Sequence, residues 1–548
     1  MNIGTCLLTA LKESGAKALF GLPGDYVLPF FNIIEEEGIL PLYTLSHEPA
    51  VGFAADGASR HGGGVGVAVV TYGAGAMNLV NAAACAWAEH SPLVIISGAP
   101  GTKEMDPGLM LHHQIRTPDT QLNVFKEFTC DQAILNNPET ASEEIARVLH
   151  SCVMHSRPVY IEIPRDMPSM HCPLIEKSMG HEDKSDQNNL NKVVKIIKTK
   201  LEQAKNPSIL AGIQVRRRNQ EEKVYSIARH WNLPLMTSFM GTGMFSDKGF
   251  PYIGNYVGLA GKRQAQTFVE ESDFLLMLGV IISDTNWGGA GKHINPDNII
   301  DVRGDRALID GVSYDNIRMK DLINALSSIT YKHKAWEISD EEAMARSEVR
   351  MDWADIDVCA DDVAPAIQYI FSKKGVMPVS VDVGDCMFMA MSLENVPILA
   401  SGYYATMGFG VPVAIGAQSA TGDRPLVITG DGGFQMTGWE LINCARYGLD
   451  PIIIVLNNQS WEMLRQFQPE ADYTKLGQAS YSKLADNLGG HGVVVNTQKE
   501  LVSALEDAIN ERGKFQLIEV MLKAGDCSSS LRNFASALKQ NMGLNKAA

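Results

Sequence analysis

The sequence predicts an α/β protein of three doubly wound domains, each built on a parallel sheet. Three observations lead there. The chain has 548 residues, too many for one core and suited to about three domains of ordinary size. Short continuous apolar runs alternate with helical patterns along its length, as expected of parallel strands covered on both faces. Two polar stretches, about 176–189 and about 331–352, interrupt the alternation. They divide the chain into a first domain (1–175), a middle domain (190–330) and a last domain (353–548).

The elements follow in order. MNIGTCLLTALKESGAK opens the chain as an amphipathic helix; it lacks the basic start and long apolar core of a secretory signal. Buried strands are expected at 17–20, 42–45, 65–71, 93–97 and 159–163, with helices at 48–60 and 76–89 among them. The middle domain offers strands at 208–211, 234–237, 274–278 and 299–302. The last offers 379–383, 426–429, 452–456 and 516–520. In doubly wound sheets ligands sit beyond the carboxyl ends of the strands, so the residues just after each strand matter most. Asp284-Thr285-Asn286-Trp287 follows a middle-domain strand in this way, as a ligand contact or simply a capped turn.

Composition narrows the function. A net charge of -16 sets the chain against nucleic acid, which wants a basic face. No apolar run, 274–282 included, is long enough to span a bilayer. Nine scattered cysteines without a Cys-x-x-Cys pair suit a reducing cytoplasm and argue against a disulfide framework or zinc site. Cys386 and Cys444, near the motifs below, read as small buried hydrophobes.

The chemistry concentrates after two strands of the last domain. Gly430-Asp431-Gly432-Gly433 follows 426–429, and Asn457-Asn458 follows 452–456. Glycines at a strand end let the backbone approach a diphosphate, and the next helix offers free N–H groups. Asp431 supplies a hard carboxylate oxygen and Asn458 a neutral carbonyl oxygen, a pairing that suits Mg²⁺.

This pairing and its spacing resemble the binding motif for thiamine diphosphate (ThDP). By that resemblance Asp431, Asn458 and the backbone carbonyl of Ser460 are the Mg²⁺ ligands, and Gly432 and Gly433 line the diphosphate. The likeness runs along nearly the whole chain: a pyrimidine-binding domain, a middle domain without cofactor and a diphosphate-binding domain. Within the ThDP enzymes it is nearest to the 2-oxo acid decarboxylases, above all those acting on phenylpyruvate and indolepyruvate. Gly21-Leu22-Pro23-Gly24-Asp25 looks like their first active-site loop, with Asp25 an acid/base candidate. His47-Glu48-Pro49-Ala50-Val51 holds the glutamate that faces the aminopyrimidine, although Glu48 taken alone reads as a helix-start acid. Thr71-Tyr72-Gly73-Ala74-Gly75 matches the following loop, and His112-His113 the paired catalytic histidines. Asp382-Val383-Gly384-Asp385 matches a diphosphate-contacting loop, with Asp385 the contact. In Ala405-Thr406-Met407-Gly408, Ala405 and Met407 stand where the family supports the bent cofactor.

The resemblance implies non-oxidative decarboxylation of a bulky 2-oxo acid to an aldehyde and CO₂ through a ThDP enamine. It also implies an active site between two subunits, hence a homodimer paired into a homotetramer. A branched-chain 2-oxo acid decarboxylase is the nearest alternative. A carboligase of the acetolactate synthase type is more distant, since the paired histidines argue against it. One position departs from the pattern. Pyruvate and indolepyruvate decarboxylases carry a glutamate six residues after the metal-binding asparagine; here Leu464 stands there, as in the phenylpyruvate enzymes. Glu462 remains a catalytic candidate, but on a helix two residues apart means nearly opposite faces. On the same helix reading Leu464 and Phe467 share a face and form an apolar wall of the substrate pocket.

Overall fold

Three sheets succeed one another along the chain. The computed structural model describes residues 1–104, 109–173, 184–245, 248–258, 261–287, 294–334 and 349–541. The first sheet holds β1 (Leu19–Gly21), β2 (Leu42–Thr44), β3 (Gly66–Val70), β4 (Leu93–Ala99), β5 (Gln132–Ile134) and β6 (Val159–Pro164), all parallel, in the order β2-β1-β3-β4-β6-β5. The middle sheet holds β7 (Pro207–Ala211), β8 (Leu235–Ser238), β9 (Tyr252–Tyr256), β10 (Phe274–Leu278), β11 (Ile299–Arg303), β12 (Arg306–Ile309) and β13 (Val312–Asp315), ordered β13-β12-β11-β10-β7-β8-β9. The last holds β14 (Val379–Val381), β15 (Ile398–Ala400), β16 (Leu426–Gly430), β17 (Ile452–Asn457), β18 (His491–Val495) and β19 (Gln516–Met521), again all parallel, ordered β15-β14-β16-β17-β19-β18.

Three expectations are corrected. The middle sheet is mixed: β12 and β13 run antiparallel to their neighbours. Their turn is Asp310-Gly311, both residues at positive φ (51° and 76°), the geometry a two-residue hairpin demands. The helix expected at 76–89 is two, Ala74–Asn78 and Val80–Ala88, with Leu79 between them. The first polar stretch ends earlier than 189, because Asp186 caps the helix Gln187–Gln203 by accepting from the amides of Asn188 and Asn189. Its central part, 174–183, and residues 335–348 of the second stretch lie outside the described residues.

The first and last sheets meet through two helices. Glu48–Gly62 crosses Gly410–Thr421 so closely that a Cβ on Gly57 would lie 2.3 Å from the Val413 carbonyl oxygen, and one on Gly416 1.8 Å from that of Ala54. Only glycine permits that approach. Where they cross, both helices are buried, and their apolar residues join one core spanning both sheets. Cys386 and Cys444 are both buried, each in a different part of the apolar core, as expected of small hydrophobes.

Candidate active site

Both outer sheets reverse their strand order at one point, between β1 and β3 and between β14 and β16. The loops leaving those strands flank a crevice, the usual ligand position in a doubly wound sheet.

At the first crevice, Gly21–Asp25 leaves β1 and Thr71–Gly75 leaves β3. The loops touch: a Cβ on Gly24 would lie 2.5 Å from Thr71 Cβ. Asp25 Oδ2 lies 2.5 Å from His112 Nε2, and Asp25 Oδ1 3.7 Å from His113 Nε2. Burial works against ionising Asp25, but the hydrogen bond and charge of His112, with His113, outweigh it and hold the carboxyl below its ordinary value. Tyr26 stacks on His112 at 4.7 Å, and its hydroxyl lies 3.1 Å from His112 Nδ1, so both ring nitrogens are engaged. His113 has φ of 65°, and a Cβ on Gly73 would lie 2.0 Å from its carbonyl oxygen, so the histidine loop rests directly on the Thr71–Gly75 loop. Glu48, at the start of its helix, accepts from Asn78 Nδ2 at 3.0 Å, and its other oxygen lies 3.4 Å from where a Gly75 Cβ would be.

At the last crevice, Asp431 is buried and accepts from the amides of Gly432 (2.8 Å) and Gln459 (2.6 Å). Asn458 Oδ1 accepts from the Ser460 amide at 3.1 Å. Asp431, Asn458 and Ser460 are thereby joined in one hydrogen-bonded turn, with Gln459 at φ 56°. Burial pushes the Asp431 carboxyl up to about 6, against the pull of these amides. Gly432 lies under Trp461, whose ring a Cβ would meet at 2.2 Å. Asp382, fully buried, accepts from the amides of Val383 and Gly408, both at 3.0 Å, and so ties two loops together. Asp385 faces another way: its carboxylate receives the Ser528 amide and hydroxyl.

The loop after β15 is clamped from the first sheet's side. Glu89 accepts from the amides of Tyr403 and Tyr404, both at 2.7 Å, and Asn81 donates to Thr406 Oγ1 at 2.9 Å. Ala405 is exposed with φ of 57°, and half-buried Met407 is held between clamped Thr406 and clamped Gly408. Three non-glycine residues in left-handed backbone, His113, Ala405 and Gln459, thus stand at the two crevices. Such conformations persist only where their surroundings impose them.

After Trp461 the chain makes a short helix, Glu462–Arg465. Glu462 is buried and accepts from Gln466 Nε2 (2.8 Å) and the Gly525 amide (3.2 Å). Leu464 points the other way and is 55% exposed. Phe467 lies beyond the helix, in a turn where its amide bonds the Leu464 carbonyl at 3.0 Å. The pair expected on one helical face is therefore carried by a helix end and the turn that follows. Among the described residues, no hydrogen bond or ion pair joins Asp25, Glu48, Thr71, His112 or His113 to Asp431, Asn458, Glu462 or Met407 of the same chain.

Comparison with known proteins gives three matches in the order of the sheets. Residues 1–124 match the thiamine pyrophosphate enzyme N-terminal TPP binding domain, 194–325 its central domain, and 382–520 its C-terminal TPP binding domain. The indole-3-pyruvate decarboxylase of Azospirillum brasilense is 44% identical over 98% of this chain and 99% of its own length. The chain belongs to the ThDP-dependent 2-oxo acid decarboxylases. Pyruvate decarboxylase 2 of Arabidopsis thaliana is 27% identical over 98% of the chain and 90% of its own. A probable acetolactate synthase large subunit of Methanococcus aeolicus is 29% identical over 93% and 90%.

For a ThDP-dependent decarboxylase the polar groups at the two crevices are informative. Thr71 Oγ1 is buried without a hydrogen-bond partner, which is costly unless a ligand supplies one. Gly432 and Gly433, next to the Asp431 carboxylate, let the Trp461 ring and Asp382 pack directly against the backbone there. These features fit a ligand with a diphosphate and an oxygen-seeking cation. Sequence reading missed Tyr26, Asn78 and Asp382, which hold its candidates in place. Asp382 stood within a motif, but Tyr26 and Asn78 carry no local pattern.

Proposed function

We propose that this ThDP-dependent enzyme decarboxylates a 2-oxo acid with a bulky aryl or indolyl side chain, such as phenylpyruvate or indolepyruvate, and releases the aldehyde. In the net change the bond from the keto carbon to the carboxylate breaks, CO₂ leaves, and the keto carbon takes up a proton to become the aldehyde carbon. The observation that carries the substrate reading is Leu464, a leucine where pyruvate and indolepyruvate decarboxylases resemble one another in having a glutamate. It is an apolar, outward-facing side chain one turn from Phe467. The relative from Azospirillum brasilense, named for indole-3-pyruvate, supports the same size class.

Bound ThDP supplies an electron sink beside the substrate carbonyl, which the side chains of a protein lack. Asp431, Asn458 and the Ser460 carbonyl are an all-oxygen set that would hold its Mg²⁺, and Thr71, Ala405, Met407, Gly432 and Gly433 would be its further contacts, while Asp385 is engaged by Ser528 instead. Glu48, held by Asn78, meets the aminopyrimidine and keeps a proton there. The linked Asp25, His112 and His113 move protons at the substrate: Asp25 is ionised at neutral pH, and an imidazole can both give and take. Glu462, which accepts from the Gly525 amide, would border this space from the second copy.

The pieces near Glu48 and those near Asp431 belong to different crevices of one chain, which supports completion of each site by a second copy. Exposed apolar side chains spaced by three, Met436, Trp439 and Ile442, offer a face for that copy. The pocket reading is tested by Leu464→Glu. A methylene gained in an apolar pocket is worth about 0.8 kcal/mol, so an aryl group should gain several-fold or more over a methyl. The variant should lower the ratio of kcat/KM for phenylpyruvate to that for pyruvate; an unchanged ratio removes Leu464 from the pocket.

A further inference from the structure

The Thr71–Gly75 loop is held from behind by a side chain that no motif marks. Gln121, 1% exposed, lies in the helix Thr120–Lys126. Its Oε1 accepts from the Gly73 amide at 2.6 Å. Its Nε2 donates to Ser97 Oγ at 2.9 Å and to the Tyr160 hydroxyl at 2.5 Å. Ser97 is on β4; Tyr160 and Glu162 lie two apart on β6, on one face of the strand. The Ser97 hydroxyl donates to the Gly98 carbonyl at 2.8 Å, and the Tyr160 hydroxyl to Glu162 Oε2 at 3.0 Å. Ser97, Tyr160 and Glu162 are all buried.

The directions of these bonds are coupled. An amide side chain has a donor end and an acceptor end, and only one orientation gives Gly73 an acceptor. Ser97 and Tyr160 enforce that orientation, because both spend their own hydrogens elsewhere and present oxygens to Gln121. Tyr160 is free to do so only while Glu162 receives its hydrogen. An ionised carboxylate can only accept, and a hydrogen bond to it is about twice as strong as a neutral one. A protonated carboxyl is a weaker acceptor and can donate back to Tyr160, turning the tyrosine hydrogen towards Gln121. If the amide then turns over, its NH₂ faces the Gly73 N–H.

Gly73 is a sensitive point for this hold. It has φ of 64° and lies against the His113 carbonyl, two residues from Thr71 and from Gly75, beside Glu48. We propose that Gln121 is a positioning residue of the active site and Glu162 its switch: with Glu162 ionised, Tyr160 locks the Gln121 carbonyl onto Gly73 and fixes the Thr71–Gly75 loop between His113 and the cofactor. The inference rests on the assignment of that loop to the ThDP side of the site.

Glu162 has means to change its charge. Burial, with Asp119 nearby, pushes its carboxyl up to about 7 against the Tyr160 bond. Among the described residues, the titratable groups around it are Asp119, Tyr72 and Tyr160. A cavity of about 310 Å³ is lined by Glu162 together with Thr102, Asn136 and Asp119.

The test is ThDP affinity, measured by calorimetry with Mg²⁺ from pH 5.5 to 8.5 on the wild type, Glu162→Gln and Tyr160→Phe, alongside kcat/KM on the loaded enzymes. ThDP itself titrates in this range, so the comparison between proteins is what decides. The wild type should lose about tenfold more affinity than Glu162→Gln between pH 8 and pH 6, as expected when a buried donor loses its acceptor. Tyr160→Phe leaves Glu162 able to titrate but cuts the chain, so it should bind more weakly at pH 8 and lack the extra loss at pH 6. A purely structural role would lower affinity at every pH without moving the profile. Coincident pH profiles in all three proteins overturn the switch while leaving the function standing. Absence of ThDP binding to the wild type at every pH overturns both.

Discussion

Asn78 donates to one oxygen of Glu48, and the missing side chain of Gly75 leaves space beside the other. Glutamine at this position keeps the Asn78 contact through its carbonyl but holds no exchangeable acidic proton. Glu48→Gln should therefore leave thermal stability and ThDP binding near wild type while lowering kcat by at least about 10²-fold, the usual scale of acid–base help. Near-normal turnover with ThDP bound would remove Glu48 from the chemistry. At this scale legibility depended on local pattern. The places of Asp431 and Asn458 at strand ends and of Glu48 at a helix start were readable, because each stands in a local motif. Tyr26, Asn78 and Gln121 were not, since each works through a partner far along the chain, 86 residues away for Tyr26 and His112 and 48 for Gln121 and Gly73. The Leu464–Phe467 face was drawn on a longer helix than exists. Pro469 follows closely and disfavours helical backbone before it, and the helix stops at Arg465.

Elements buried on both faces were the easiest to read. The strands β10, β16 and β17 are continuous apolar runs, and they stand within a residue or so of where the pattern sets them. The strands passed over lack that signal: β5 and β15 have three residues each, β9 is mostly half-buried, β13 and β18 are largely or partly exposed, and β12 belongs to an antiparallel hairpin. The helix crossing was invisible for another reason. Gly57 and Gly416 look like ordinary helix glycines until their opposing backbones are known. An alanine at 416 would drive its methyl into the Ala54 carbonyl, and backbone cannot step aside as a flexible side chain can. Gly416→Ala should cost about 1–3 kcal/mol or more, seen as a lower midpoint of thermal or denaturant unfolding. A wild-type midpoint would mean that the two helices are not so tightly engaged.

The whole molecule joins two outer sheets of like design by one helix crossing and sets its middle sheet beside them. Each outer sheet ends in its own crevice, and the residues proposed to handle a 2-oxo acid are divided between those crevices. Sedimentation at assay concentrations should accordingly find a dimer or tetramer; a monomer with full activity would contradict a site shared between copies. The acidity of the chain, -16 overall, leaves an anionic substrate dependent on local positive elements such as the metal and helix N-termini. The most direct measurement of the central claim is CO₂ release and aldehyde formation from phenylpyruvate, indolepyruvate and pyruvate, with and without ThDP and Mg²⁺. Turnover should require both additions after they have been stripped, with equal amounts of CO₂ and aldehyde and with phenylpyruvate or indolepyruvate preferred over pyruvate. Turnover independent of ThDP, no aldehyde, or a preference for pyruvate would contradict that claim.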